Sequence, residues 1–74
     1  MSALRLIHGA AFDAETTQLM GSAYEKAVVG FNEVFQHETI AKRIIEAARR
    51  GERDIDRLVA YALAGLDGET EVAG

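Results

Sequence analysis

Glu38–Leu66, ETIAKRIIEAARRGERDIDRLVAYALAGL, holds a helix stop and a helix start side by side. Arg49 and Arg50 fall in a last turn, where cations oppose the negative end of the helix dipole. Gly51 follows where a left-handed residue costs least. Three residues on, Asp54 can accept from the free amides of a new helix, with Asp56 adding negative charge to its first turn. The apolar residues agree with this division. Ile40, Ile44, Ala47 and Ala48 line one face before the turn, flanked by Ala41 and Ile45. Ile55, Leu58, Val59, Ala62 and Leu66 repeat the helical spacing after it, with Leu63 on the flank. So short a connection predicts two helices packed on each other.

Upstream, Asp13 is a good N-cap and Glu15 suits the first turn of a further helix. Met20, Tyr24, Ala27, Phe31 and Val34 follow in steps of four and three, and Leu19, Val28 and Phe35 widen the stripe. The expectation is therefore an all-α domain of three helices, about 13–35, 39–50 and 54–66. The stripe loses register at Glu38, which predicts a break at 36–39 with His37 or Thr39 as a weak cap. The alternative fuses the first two helices into one, unusually long for a chain of 74 residues. Residues 1–12, with Leu4, Leu6 and Ile7, are expected as a loose arm, a strand being the other option. Residues 67–74, DGETEVAG, are expected as a loose tail.

Composition narrows the function. The chain has no Cys, which removes disulfides and thiolate metal sites, and no Pro to interrupt helices. Its longest apolar run is too short to span a bilayer, and MSALRLIHGAA makes a poor secretory signal, so a cytoplasmic protein is expected. Neither a P-loop nor a G-x-G-x-x-G is present, and Ser2 and Ser22 offer no Ser–His–Asp set. His8 and His37 share no metal-ligand spacing, and His37 between Glu33 and Glu38 reads as a surface histidine beside acids. No catalytic, cofactor or metal residues are expected, and the chain does not read as an enzyme.

Charge is segregated along the chain. Residues 1–41 carry −3, residues 42–57 carry +2 and residues 58–74 carry −3, which gives the net −4. Lys42, Arg43, Arg49, Arg50, Arg53 and Arg57 thus cluster about the turn as a candidate anion-binding corner. Interspersed acids, with Glu38–Lys42 and Glu46–Arg50 at the favoured i,i+4 spacing, instead suggest a solvated face. The corner does not make a DNA-reading helix-turn-helix. Ala47 has the right distance to Gly51, but Glu46 and Arg50 stand where that motif is apolar.

Two strings carry a resemblance. FDAET at Phe12–Thr16 and ETIAKRIIEAARRGERD at Glu38–Asp54, with a closing LVAYAL helix, resemble a group of short bacterial helical proteins without an assigned activity. Those carry F-D-x-E-T near the start and an A-K-R-I-I-E-x-A-x-x-G-E-R-D core. The match covers most of residues 12–66 and departs at Ile55, where a Pro is frequent in the group. It implies a small cytosolic helical protein and carries over no catalytic residue.

The functional expectation is a non-enzymatic interaction or regulatory module. Three short helices cannot bury both the main stripe and its flank, so Leu19, Val28, Phe31 and Phe35 are the candidate partner-binding residues. A two-fold dimer pairing the first helices would cover them. The second reading is a nucleic-acid-binding accessory protein using the basic corner, disfavoured by the negative net charge.

Overall fold

A computed structural model describes residues 3–66 in full and carries the backbone of the last helix on to Ala73. The last helix, expected to end at 66, runs on to Ala73 over most of the segment expected as a tail at 67–74, so Gly68 does not stop it. The chain is all-helical, with α1 at Leu4–His8, α2 at Ala14–Ala27, α3 at Val34–Arg49 and α4 at Ile55–Ala73.

The α3–α4 turn forms as its residues dictate. Gly51 has φ +99°. Its N–H donates to the Ala48 carbonyl at 3.0 Å and the Glu52 N–H to the Ala47 carbonyl at 3.1 Å, a Schellman closure of α3. Arg53 adds Nη1 to the Ala48 carbonyl at 2.7 Å. On the other side Asp54 caps α4, accepting from the Arg57 N–H at 3.2 Å. The Glu52 carboxylate folds back onto the turn and accepts from the N–H groups of Arg53 at 3.2 Å and Asp54 at 3.3 Å.

The expected first helix is cut earlier than its apolar stripe suggests. Asp13 does cap α2, accepting from Thr16 N–H at 3.1 Å. But α2 stops at Ala27, and the chain turns through Val28–Phe31, closed by Phe31 N–H to the Val28 carbonyl at 2.9 Å with Gly30 at φ +89°. The break is thus at 28–33 and not 36–39, and neither the 13–35 helix nor the fused alternative forms. Glu33, not His37 or Thr39, caps α3, in a reciprocal capping box with Gln36. A glycine in the left-handed region reverses the chain at no steric cost, and the capping box then restarts it.

Leu4–His8, expected as an arm or strand, is a short helix packed on α2 and α3, with Ile7 fully buried. The core otherwise takes Met20, Ala23, Tyr24 and Ala27 from α2; Ile40, Ala41, Ile44, Ala47 and Ala48 from α3; and Leu58, Ala62 and Leu66 from α4. Among the described residues, seven of the fourteen buried apolar side chains are alanine. An ion pair from Lys26 Nζ to Asp56 Oδ1 at 2.9 Å joins α2 to the start of α4 on the surface.

Where α4 passes α3, Gly65 leaves space for a side chain from the facing helix. Arg43 lies in that space and donates to the Tyr61 carbonyl from Nη2 at 3.1 Å and Nε at 3.4 Å. A Cβ built on Gly65 would come within 2.7 Å of Arg43 Cδ and 2.8 Å of its Cζ.

Candidate functional site

Two surface regions answer to the sequence. The first is apolar and lies at the α2–α3 connection. Because α2 ends at Ala27, the residues expected to flank one helix are dispersed. Leu19 is half-buried beside Phe12 and Arg53. Val28 and Phe31 are half-buried against the core. Phe35, in the first turn of α3, is 59% exposed. Nearby in sequence, Val34 is 65% exposed and Val29 77%. Three large apolar side chains thus stand in solvent within seven residues. Val34 belongs to the apolar stripe expected on the first helix and Val29 to none; the signal that exposes both is Gly30, whose turn ends that helical register.

His37 fixes this connection. Its Nε2 donates to the Phe31 carbonyl at 2.7 Å, since a carbonyl can only accept, and its ring meets Tyr24 edge-on at 6.3 Å. The half-buried ring is a tie across the turn, not the open surface histidine expected from its acidic neighbours.

The second region is the basic corner, and the structure divides it. Arg43 is committed to the α3–α4 seam. Its guanidinium stacks 4.1 Å from the Tyr61 ring centroid and lies 3.8 Å from Glu46. Arg53 is committed to the Ala48 and Glu52 carbonyls and approaches the Phe12 ring at 5.9 Å. Lys42 and Arg49 sit together on the exposed side of α3, beside Ile45 and Glu46. Arg50, from the end of α3, and Arg57, from the first turns of α4, line one open groove of about 670 Å³.

Tyr61 forms part of that groove with Ala47 and Ala60. Its hydroxyl donates to Glu46 Oε1 at 2.9 Å, while Glu46 Oε2 pairs with Arg50 Nη2 at 3.4 Å. Arg50 also stands 5.6 Å from the Tyr61 ring. The Glu46–Arg50 contact is the i,i+4 pair expected from sequence, whereas Tyr61 carries no local signal because its contact with Glu46 spans the hairpin. Lys42, Arg49 and Arg57 make no side-chain hydrogen bond or ion pair among the described residues.

Among the described residues one carboxyl is perturbed. Asp13 is held below its usual value, first by its hydrogen bonds from Thr16 and then by the Arg53 charge. The first cause is the α2 cap itself, and the second is a charge from the α3–α4 turn. Among the described residues no group of three or more His, Cys, Asp or Glu could hold a metal ion, and no helix is long and apolar enough to cross a membrane. Compared with known proteins, the chain matches no family model, no curated protein and no solved structure.

Proposed function

We propose that this chain is a non-enzymatic protein–protein interaction module that self-associates through the apolar residues at its α2–α3 connection. The observation that carries the reading is the exposure of Val29, Val34 and Phe35 at 77%, 65% and 59% within one short stretch. Scattered apolar residues on a surface are ordinary, but large ones gathered about a single turn mark an interface. The backbone beneath them is held by the Phe31–Val28 hydrogen bond and by His37, so little ordering entropy opposes docking. The relevant contact is a two-fold pairing of these turns, in place of the side-by-side pairing of whole first helices suggested by the sequence. Most of the apolar face of α2 is already spent: Met20 and Ala23 are fully buried and Ala27 nearly so.

Sedimentation velocity over a micromolar concentration series tests this. A monomer–dimer equilibrium is expected, shifted to monomer by Phe35→Glu without a change in helix content. A parent chain that stays monomeric throughout, or a dimer indifferent to Phe35→Glu, refutes it.

A further inference from the structure

We infer that the groove between the end of α3 and the start of α4 is a second docking site, distinct from the apolar turn, for a peptide segment that alternates carboxylates with apolar side chains. The groove offers one guanidinium from each helix, Arg50 and Arg57, beside an apolar surface of Ala60 and Tyr61 that borders the buried Ala47. That surface is set before any partner arrives. The Tyr61 hydroxyl is held by Glu46 at 2.9 Å and its ring carries Arg43 at 4.1 Å, so neither must be ordered on binding.

The cations are available. Arg57 has no side-chain partner among the described residues, and Arg50 has a long, exposed contact of 3.4 Å with Glu46 and a distant one of 5.6 Å with the Tyr61 ring. Glu52, the one acid lining the groove, has its Oε2 turned to the amides of Arg53 and Asp54. Planar guanidiniums match carboxylates as two-pronged donors.

Charge also selects the class of partner. Glu46, Asp54 and Asp56 lie among the basic residues, and the whole chain carries −4. A nucleic acid presents a continuous run of phosphates and would meet these acids at close spacing. A peptide with separated carboxylates can reach Arg50 and Arg57 singly while its apolar residues cover Tyr61 and Ala60. The groove is open along the surface, which suits an extended segment better than an enclosed small molecule.

The test is an amide-resolved NMR titration of the full chain with a capped peptide alternating Glu and Leu, with a Lys–Leu peptide and a short DNA duplex as controls. Saturable shifts are expected at Ala47, Gly51, Ala60 and Tyr61 with the Glu–Leu peptide. Added salt should weaken them. Arg57→Glu, at an exposed position without a side-chain partner, should reduce affinity about tenfold while leaving the melting curve intact. Absence of saturable shifts, equal binding of the Lys–Leu peptide, or preferential binding of the duplex each overturns the assignment. Because the readout is local to the groove, the result is independent of whether the α2–α3 turn dimerises.

Discussion

Gly65→Ala offers a sharp measure of the α3–α4 seam because two effects of known sign oppose each other there. Alanine in a helix interior is favoured over glycine by about 1 kcal/mol. At Gly65, however, the new Cβ would stand 2.7–2.8 Å from the Cδ and Cζ of Arg43, so the arginine must leave its place. Leaving forfeits the two bonds to the Tyr61 carbonyl at 3.1 and 3.4 Å and the stacking at 4.1 Å. A charge-assisted hydrogen bond contributes a net 1.5–3 kcal/mol, and this side chain is 31% exposed and can rehydrate, so the lower end applies. Stacking adds about 0.5–1 kcal/mol, for a loss of about 2–3 kcal/mol. The net for Gly65→Ala is then a destabilisation of about 1–2 kcal/mol. In an Arg43→Ala background nothing is left to displace, and the same change should stabilise by about 1 kcal/mol. The sign reverses, and the cycle gives a coupling of about 2–3 kcal/mol. Urea denaturation followed by circular dichroism measures all four proteins. A parent chain stabilised by Gly65→Ala, or additivity of the two changes, refutes the reasoning.

Gly51→Val should cost about 1–3 kcal/mol, through backbone strain alone, since no atom within 4 Å obstructs a Cβ there; a parent-like thermal melt would contradict the left-handed turn. Asp54→Ala should cost about 1 kcal/mol by uncapping α4, again read by melting. Gly21→Ala should stabilise by about 0.5–1 kcal/mol, because Gly21 lies inside α2 and the new methyl meets only Leu4 Cδ1 at 3.9 Å; a lower melting temperature would show a tighter α1–α2 contact. The Asp13 carboxyl titrates below its unfolded value of 3.8, so its contribution is complete above that value and is lost as pH falls through the lower, folded one. Asp13→Asn should accordingly flatten this part of the acid limb in pH-dependent melts, and an unchanged limb would rule the carboxyl out as a contributor.

The legible parts of the fold were those with local causes. Gly51 and Asp54 announce their turn within four residues, and the periodic faces around them pick out Ile40, Ile44, Ala47, Ala48, Leu58, Ala62 and Leu66, all buried. The α2–α3 break was less legible because its signals are weak one by one. A lone glycine costs a helix only about 1 kcal/mol, and glutamate is an unusual cap. Phe31 and Val34 also continue the α2 spacing by coincidence, which carried the apparent helix past its end. Arg43 was indistinguishable from its basic neighbours, since its role depends on the absence of a side chain at Gly65, on another helix. The apolar candidates fared similarly: Phe35 is on the surface, while Leu19, Val28 and Phe31 turn partly inward once the helix is cut.

The alanine-rich core gives the molecule a lopsided tolerance to change. Ala3, Ala23, Ala27, Ala41, Ala47, Ala48 and Ala62 have only a methyl to lose, so the usual route to damage, a cavity left by truncation, is nearly closed at half of the core. The opposite route is wide open. Each added carbon must wedge apart helices that approach closely because their facing side chains are small, and such overfilling typically costs 1–3 kcal/mol. Substitutions larger than Ser at these positions are expected to destabilise, while Ile7, Met20, Ile40, Ile44 and Leu58 should accept exchange among shapes of similar volume. What the alanines specify is a distance between helix axes, and the larger residues are free to vary only within it.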